Sequence, residues 1–330
     1  MRINRRAFLV GSCGAVLRTS VASAQPEGRV RRIAVLIPFA ETDPDAQRWV
    51  AALIDGLEGL GWTTKSNLIF DLRWTGANND RIKQSAAEAV RLSPDVILSH
   101  GVPMLAAVGQ ATSAIPVIFV QVADPVISGF VESLARPGRN VTGFTNYEYA
   151  MGAKWLEFLK QVQPDLKRVL VLQNPENPSW TGHLGAIAAA APTLKVTLTP
   201  AAAHDPAEIR AVVETFIKEG LGGLISLPSP IASANRELLV ELCAHHAIPA
   251  VYPFSTFVKR GGLMSYGVDT AALYKASVSY IDRILRGEKP AELPVQQPTK
   301  FELAVNVKTA KALGLEFPPA LLATADDVIE

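Results

Sequence analysis

The clearest hydrophobic pattern in the chain is a short apolar run followed by a polar loop and an amphipathic segment. Residues 33–37 (IAVLI) form the run, which ends at Pro38. A continuous apolar run of this length is typical of a strand buried on both faces of a parallel sheet. Asp43 and Pro44 suit a helix start, and apolar residues then recur at helical spacing as far as Gly61. The segment predicts a strand, a loop and a helix.

The same pattern occurs a second time. Residues 167–178 (KRVLVLQNPENP) again place a basic pair before an apolar strand and a polar loop with proline. A further pair of matches supports the repeat, because residues 95–103 and 115–119 resemble residues 222–230 and 248–252 in order and approximate spacing. Ordered self-similarity of this kind predicts an internal duplication of a parallel α/β unit.

Strands and helices are predicted to alternate through both halves. Residues 67–74 and 95–99 have the pattern of strands, and residues 79–92 between them have the pattern of a capped helix. Two short helices, at residues 308–313 and 319–328, are predicted to close the chain. Repeated β/α units favour an α/β fold with two doubly wound parallel-sheet lobes joined by a multi-strand hinge.

The chain is predicted to pass between its halves more than once. A segment rich in polar and aromatic residues at 145–151 predicts the first crossing, and the apolar strand at residues 263–266 predicts the return. Hinge closure needs only a few residues that absorb a backbone rotation. The hinge candidates are Thr145-Asn146, Gly261-Gly262 and residues 294–299. The predicted first lobe comprises residues 25–146 with 262–293, and the second comprises residues 147–261 with 294–330.

The first residues have the pattern of an export signal. Three arginines among the first six residues precede an apolar stretch at residues 7–17, and residues 22–24 (ASA) provide a small-residue cleavage site. We therefore expect residues 1–24 to be a signal peptide cleaved near Ala24 during export to the periplasm. The string at residues 4–9 (NRRAFL) resembles a twin-arginine signal, and ordinary secretion is the alternative route.

Composition adds that the exported chain is a sizeable protein with little net charge. The 330 residues are 48% hydrophobic, which suits two lobes. Without residues 1–24, which hold four arginines and no acidic residue, the formal charge changes from +1 to −3, so nothing favours nucleic acid. Cys243 is then the single cysteine, which excludes an internal disulfide. No other apolar stretch predicts stable membrane insertion after signal removal.

Enzymatic motifs are missing from the sequence. The nucleophile elbow G-x-S-x-G, the P-loop and the metalloprotease motif H-E-x-x-H do not occur. The pair His245-His246 lacks further ligands at a metal-site spacing. We therefore predict no catalytic residues, no metal and no cofactor. A ligand-sensing partner of a membrane receptor stays open as an alternative function, and a doubly wound enzyme is a weaker one.

Seven segments in register carry a family resemblance: residues 32–38, 95–97, 115–125, 141–144, 262–269, 282–289 and 298–315. Together they resemble ABC-transporter substrate-binding proteins of the tryptophan-binding-like group, which have the type I periplasmic binding protein fold. The resemblance covers essentially all of the chain after the signal. It implies an exported, monomeric receptor that closes two lobes on a small-molecule solute and presents it to an inner-membrane permease and its ATPase.

The aromatic candidates for a solute site follow the strands. Ligands of open α/β sheets lie outside the carboxyl ends of the strands, and here both sets of ends are expected to face one cleft. Phe39 and Trp180 follow the two copies of the repeated strand, so we expect them to face each other across this cleft. Tyr252, Phe254 and Tyr266 are further candidates, although burial in the core is an alternative for each aromatic side chain.

The polar candidates have structural alternatives as well. Asp124 and Asp269 could bind an ammonium or hydroxyl group, or they could hold a turn and cap a helix. Ser99, His100 and Gly101 end a strand where backbone N–H groups of the next helix could bind a carboxylate, and His100 could instead be structural. The candidates chosen by position alone are Ala40, Gln121, Asn146, Tyr147, Asn174, Pro228 and Ser229.

The expected solutes are aromatic amino acids, aromatic acids and small carboxylates, in that order. A small organic ligand is usually held by apolar and aromatic walls with a few placed polar groups. The loop at residues 99–103 (SHGVP) is poorer in hydroxyl residues than the corresponding loop of amino-acid-binding relatives. This difference argues against an α-amino acid.

Overall fold

The computed structural model describes residues 29–330. The signal peptide predicted for residues 1–24 lies outside these residues. The described chain forms two lobes, each with a sheet covered by helices, which confirms the predicted α/β fold class. In this part of the chain, no helix is long and apolar enough to cross a membrane.

The first sheet is parallel and has the strand order β2-β1-β3-β4-β5. Its strands are β1 (Arg31–Ile37), β2 (Leu68–Trp74), β3 (Val96–His100), β4 (Val117–Val122) and β5 (Val141–Thr145). The helices between them are α1 (Pro44–Gly59), α2 (Asn79–Arg91) and α3 (Val102–Ala111).

Strand β1 is buried because its apolar side chains pack against helices on both faces of the sheet. Ile33, Val35 and Ile37 pack in the cluster that contains the apolar stripe of α1, whereas Ala34 and Leu36 pack with α2 and α3. All five side chains are fully buried. This two-sided burial explains why the strand reads as a continuous apolar run and does not alternate with polar residues.

The second sheet has seven strands in the order β12-β11-β10-β9-β8-β6-β7. They are β6 (Arg168–Gln173), β7 (Thr197–Ala202), β8 (Gly223–Ser226), β9 (Ala250–Tyr252), β10 (Met264–Gly267), β11 (Glu302–Asn306) and β12 (Asp327–Ile329). The helices before β10 are α4 (Met151–Val162), α5 (Trp180–Ala190), α6 (Pro206–Lys218), α7 (Pro230–Ala234), α8 (Arg236–His245) and α9 (Ser255–Val258). After β10 come α10 (Thr270–Leu285), a 3₁₀ turn (Pro290–Glu292), α11 (Val307–Ala312) and α12 (Pro319–Leu322).

The strand order confirms the predicted duplication. The first sheet runs β2-β1-β3-β4-β5, and the second contains β7-β6-β8-β9-β10, so each lobe places its first strand between its second and third. The two strands of the repeated sequence, β1 and β6, therefore occupy equivalent positions. The second sheet differs by adding β11, which pairs antiparallel with β10, and β12 at its edge.

Three segments connect the lobes. The first lies between β5 and α4, the second follows β10, and the third follows Gln296. After the second, α10 packs against the first-lobe strands. Residues 295–296 then remain with the first lobe, because Val295 N–H donates to the Leu134 carbonyl at 2.7 Å and Gln296 N–H donates to the Gly143 carbonyl at 2.9 Å.

Two element predictions were wrong. Residues 263–266 do not cross back to the first lobe: strand β10 pairs with β9 and β11 in the second sheet, so the return comes after Gly267 and not at Gly261-Gly262. The first lobe therefore does not begin again at residue 262, and it extends beyond residue 293. The helix predicted at residues 319–328 is the short α12, because β12 pairs with β11 at the end of the chain.

Candidate functional site

A cavity lies between the lobes, at the carboxyl ends of strands from both sheets. About 440 Å³ of this space is not filled by protein atoms, including the part that opens to solvent. Phe39 and His100, which follow or end β1 and β3, line it from the first lobe, and Ser229 and Phe254 line it from the second. This is the position at which doubly wound sheets bind small ligands.

The first-lobe wall is an aromatic group built around His100. The ring of Phe39 meets Trp49 and His100 edge-on at centroid distances of 5.5 and 5.3 Å, and Trp49 stacks on His100 at 5.6 Å. The Nδ1 of His100 shares a hydrogen bond of 2.9 Å with the hydroxyl of Tyr274. Burial lowers the pKa of His100 to about 3, so this imidazole is neutral at neutral pH.

The hinge side of the cavity is fixed by a chain of amide hydrogen bonds. Gln121 Nε2 donates to Thr270 Oγ1 at 2.6 Å, and Gln121 Oε1 accepts from Asn146 Nδ2 at 2.8 Å. Asn146 Oδ1 in turn accepts from the backbone N–H of Tyr147 at 2.7 Å. Gln121, the residue before the end of β4, has a left-handed φ of 60°. These bonds join β4, the first crossing and the start of α10, so they hold the lining in place across the hinge.

The polar side chains of the second-lobe wall are also engaged with their own loops. Asn177 Nδ2 donates to the Pro228 carbonyl at 2.9 Å, and Ser179 Oγ donates to Asn177 Oδ1 at 2.9 Å. Ser229 Oγ accepts from the N–H of Ala232 at 3.1 Å and so caps α7. These loops are therefore preorganised before any solute arrives.

His183, on α5, belongs to the same wall. It is among the residues that line the cavity, its side chain is fully buried, and the backbone of Tyr149 is the polar group that contacts its imidazole. The ring is surrounded by Tyr149, Trp155 and Tyr147 at centroid distances of 5.1, 5.3 and 6.2 Å. Burial lowers the pKa of His183 to about 4, which keeps the imidazole neutral at neutral pH.

Charged side chains are found beside the cavity and not in its lining. Of the described residues that line it, none is Asp, Glu, Lys or Arg. Next to it, the buried guanidinium of Arg236 in the second lobe reaches Asp43 at 2.6 Å and Asp45 at 3.2 Å in the first lobe. Arg260 also reaches Asp45, at 3.3 Å. These four residues, which we call the interlobe ion cluster, bridge the two lobes directly.

Eight of the residues predicted for the site line this cavity: Phe39, His100, Gly101, Gln121, Asn146, Pro228, Ser229 and Phe254. They come from the loops after several strands of both sheets. The cavity therefore lies at the carboxyl ends of the strands of both sheets, as predicted for the site. Contact between each of these residues and a solute stays a prediction.

Trp180 was expected to face Phe39 across this cavity, but it is not among the residues that line it. Its side chain is half-buried and packs against the main core cluster. Tyr252 and Ser99 are also placed away from the cavity surface, since both are buried and Tyr252 stacks on Phe257 at 4.7 Å. Ala40 is exposed outside the lining.

The remaining candidates have structural roles in this fold. Asp269 Oδ1 accepts from the N–H of Ala271 at 2.8 Å as the cap of α10, and Asn174 Oδ1 accepts from the N–H of Glu176 at 3.0 Å. Asp124 accepts from the N–H of Tyr149 in the first crossing, and burial raises the pKa of this carboxyl. The alternative given for Asp269, a helix cap, is thus its observed contact, whereas Asp124 contacts the first crossing and not its own turn.

Tyr147 and Tyr266 line a second cavity, on the other side of the first crossing. The hydroxyl of Tyr147 donates to the Pro253 carbonyl, and its ring stacks on Phe301 at a centroid distance of 6.5 Å. The backbone carbonyl of Tyr266 accepts from Trp155 Nε1 at 2.8 Å. Both tyrosines therefore help to join the crossing segments to the second lobe and lie apart from the main cavity.

Sequence reasoning missed eight lining residues: Val102, Pro103, Ala123, Asn177, Ser179, His183, Pro230 and Ser233. Asn177 and Ser179 lie in the polar loop after the repeated strand, so a full list of that loop would have found them. His183 lies inside an alanine-rich helix whose pattern gave no indication of a site. Among residues 29–330, no group of three or more His, Cys, Asp or Glu side chains could hold a metal ion.

Comparison with known proteins gives consistent matches over nearly the whole chain. A family model described as ABC transporter substrate binding protein matches residues 32–329. A relative named tyrosine-binding protein, from Clostridioides difficile, is 25% identical over 277 residues, which are 83% of this chain and 78% of the relative.

Solved structures agree with these matches in fold. A conserved domain protein from Vibrio cholerae has a TM-score of 0.84 and 26% identity, and the match covers 91% of this chain and all of that chain (100%). The structure of an ABC domain in complex with L-Trp, from Streptococcus pneumonia, has a TM-score of 0.83 and 23% identity, with coverage of 91% and 100%.

Proposed function

The chain belongs to the family of ABC transporter substrate binding proteins, and from this premise we propose that it is exported and binds a small aromatic solute between its lobes. Its two-lobed fold is that of type I periplasmic binding proteins. The observation that carries the proposal is the interlobe cavity, where Phe39 and Phe254 come from opposite lobes among neutral hydrogen-bonding groups. Apolar walls with a few placed polar groups are what a small organic solute requires.

The solute is proposed to be an aromatic amino acid or an aromatic or small aliphatic carboxylate. The names of a tyrosine-binding relative and of a structure in complex with L-Trp support an aromatic amino acid. The lining supports a carboxylate without an ammonium group, because the described residues that form it include no Asp or Glu to pair with an ammonium. The amino end of α3 offers the backbone N–H of Val102 to a carboxylate, whereas the Gly101 N–H already donates to the Val120 carbonyl at 2.9 Å.

The proposed role is transport without catalytic turnover. In this role the monomeric protein captures its solute in the periplasm and presents it to an inner-membrane permease and its ATPase. Family membership supports this, since substrate-binding proteins serve ABC transporters. The interlobe ion cluster supports a receptor that closes, because it connects charged groups of the two lobes beside the cavity.

A thermal-shift screen of the purified protein tests the proposal. We expect at least one aromatic amino acid or carboxylate to raise the melting temperature, because a ligand that binds only the folded protein stabilises it by mass action. At a concentration of about one hundred times Kd the stabilisation is about 2.7 kcal/mol, which for a protein of this size corresponds to roughly 4 °C. The proposal is wrong if no member of these solute classes shifts melting.

A substitution in the cavity lining and one outside it test where the solute binds. Phe39→Ala removes an aromatic wall of the cavity, whereas Ile127→Ala removes an apolar side chain that is 74% exposed and outside the lining. We expect the first variant to weaken solute binding about tenfold or more by calorimetry, and the second to leave it unchanged. Equal effects of the two variants would place the solute elsewhere.

A further inference from the structure

We propose that His100 is a specificity-determining residue of the cavity and donates a hydrogen bond from its Nε2 to the carboxylate of the aromatic solute. This inference rests on the proposed function and adds which group of the solute the first-lobe wall recognises. It starts from the two ring nitrogens of His100, which have different surroundings. One nitrogen is paired inside the protein, and the other borders the cavity.

The unpaired nitrogen of His100 is the first argument. Its Nδ1 is bonded to the hydroxyl of Tyr274, which does not line the cavity. Among the described residues Nε2 has no hydrogen-bond partner, and it is not sealed from solvent as the unpaired Ser99 Oγ is. His100 is 7% exposed, and it lines the main cavity. Nε2 is therefore a polar atom that a solute in the cavity can reach.

The hydroxyl of Tyr274 decides which nitrogen of His100 carries the proton. Tyr274 is fully buried, and among the described residues the only partner of its hydroxyl is His100 Nδ1. If Nδ1 were the donor, the hydroxyl hydrogen would be left in the protein interior without an acceptor, which is unfavourable. The hydroxyl therefore donates to Nδ1, and the proton of the neutral imidazole lies on Nε2. The cavity thus has an N–H donor that carries no charge.

The place of His100 in the fold puts this donor beside a helix start. His100 ends β3, and α3 begins at Val102, directly after Gly101 with its left-handed φ of 80°. No side chain caps this helix. The first N–H groups of a helix have no partner inside it and lie at the positive end of its dipole. Val102 also lines the cavity, so a carboxylate there would accept from His100 Nε2 and from the Val102 N–H.

The neighbours of His100 keep its ring in one orientation. Phe39 meets the imidazole edge-on at a centroid distance of 5.3 Å, and Trp49 stacks on it at 5.6 Å. A donor that is fixed by packing and by a hydrogen bond behind it is what a specificity contact requires. Hydrogen bonds to an ionised acceptor are roughly twice as strong as those to a neutral one. The site should therefore prefer a carboxylate to an amide of the same shape.

Two pairs of solutes isolate the carboxylate. 3-phenylpropanoate differs from 3-phenylpropanamide, and L-phenylalanine differs from L-phenylalaninamide, only in having a carboxylate in place of an amide. We expect the wild-type protein to bind the acid of at least one pair about tenfold or more tightly than its amide in calorimetry.

Substitution of His100 tests whether this preference depends on the imidazole. His100→Phe keeps an aromatic ring and removes both nitrogens. We expect it to bind the acid about tenfold or more weakly, while its affinity for the amide falls by no more than about threefold. His100→Gln retains an N–H donor at the end of its side chain and should recover part of the loss. His245→Phe, on the exposed side of α8 and outside the lining, should change neither affinity.

Tyr274 acts as a positioning residue, because it contacts His100 and does not line the cavity. The ¹⁵N NMR shifts of the ring nitrogens distinguish the two neutral tautomers, and we expect His100 of the ligand-free wild type to be the Nε2–H tautomer. Tyr274→Phe should allow the Nδ1–H tautomer to form and should weaken binding of the acid about threefold or more. Tyr280→Phe is the control, because it removes another hydroxyl of α10, which donates to the Pro294 carbonyl at 2.6 Å outside the lining.

The outcomes separate this inference from the proposed function. If no aromatic solute binds the wild-type protein, the proposed function fails. If aromatic solutes bind, the inference is wrong when the wild type prefers the acid in neither pair, or when His100→Phe weakens binding of acid and amide equally. It is also wrong when His100 carries its proton on Nδ1 in the ligand-free wild type. The comparison of solutes uses only the wild-type protein, so it remains decisive even where a variant does not fold.

Discussion

At the scale of single residues, two buried neutral histidines make the cavity wall sensitive to acid. The pKa values of His100 and His183 are lowered from 6.5 to about 3 and about 4. Between the unfolded and the folded value, the unfolded chain binds a proton that the folded chain does not, so stability falls as the pH falls. Above pH 6.5 both histidines are neutral in both states, and this contribution to stability is fully present.

We expect His183→Gln to reduce the acid-induced loss of stability. Below pH 6.5 each such histidine lowers the free energy of unfolding by up to about 1.4 kcal/mol per pH unit. We expect urea unfolding between pH 6.5 and 4.5 to show a weaker dependence of the free energy of unfolding on pH in this variant. The difference in slope should correspond to about one proton. His204→Gln is the control, because His204 is exposed and its pKa is raised by Glu208. If the free energy of unfolding depends on pH equally in the wild type and in His183→Gln, the lowered pKa of His183 is contradicted.

The aromatic residues show what could be predicted at this scale. The position of Trp180 after the repeated strand correctly predicted that this loop reaches the cavity, since Asn177 and Ser179 line it. The direction of the Trp180 ring depends on turns inside the loop, where Asn177 N–H donates to the Asn174 carbonyl and Trp180 N–H donates to the Asn177 carbonyl. Hydrophobic periodicity carries no information about such turns, so the ring could not be placed from sequence.

At the scale of elements, the same limit applies to β10. Its apolar residues predicted a strand correctly, but its sheet is decided by pairing with β9 and β11, which are distant in sequence. The helices were easier to predict because their caps are local. Asp43 Oδ1 accepts from the N–H groups of Asp45 and Ala46 at 3.0 and 2.9 Å, as expected for the start of α1.

Close contact between α4 and α5 leads to a prediction about two glycines. Gly152→Ala should destabilise the protein by about 1–3 kcal/mol, because its Cβ would meet the His183 carbonyl oxygen at 2.6 Å and Ile187 at 3.0 Å. Gly185→Ala is the matched control. It lies within α5 with nothing inside 4 Å, so the higher helix propensity of alanine should stabilise the protein by roughly 0.5–1 kcal/mol.

Denaturant unfolding of the two variants checks this prediction. The two midpoints should move in opposite directions from that of the wild type, with unchanged slopes. A stabilising effect of Gly152→Ala would show that α4 and α5 can separate without cost.

At the scale of the whole molecule, the two-lobed architecture was predictable because each lobe repeats one pattern. Strands β1 and β6 start equivalent β/α units and take equivalent places in their sheets. The arrangement of the lobes around the cavity was not predictable, because it depends on contacts between residues far apart in sequence. The pair Arg236 and Asp43, separated by 193 positions, is such a contact.

The interlobe ion cluster should favour the closed arrangement. Arg236 is 4% exposed and faces Asp43 and Asp45, which are 9% and 2% exposed at their side chains. Removing one partner from a buried ion pair costs about 3–5 kcal/mol when the other charge stays buried. Here the acids regain water when the lobes separate, so Arg236→Ala should shift the protein towards an open form and weaken binding tenfold or more.

Small-angle scattering and calorimetry test this expectation with the solute that gives the largest thermal shift. Arg236→Ala should increase the radius of gyration of the ligand-free protein, and Arg260→Ala should have a smaller effect because Arg260 is 23% exposed at its side chain. Arg210→Ala, which removes the same charge from an exposed position on α6, should change neither quantity. If Arg236→Ala behaves like Arg210→Ala, the cluster does not hold the lobes together, and solute contacts in the cavity must supply the free energy of closure.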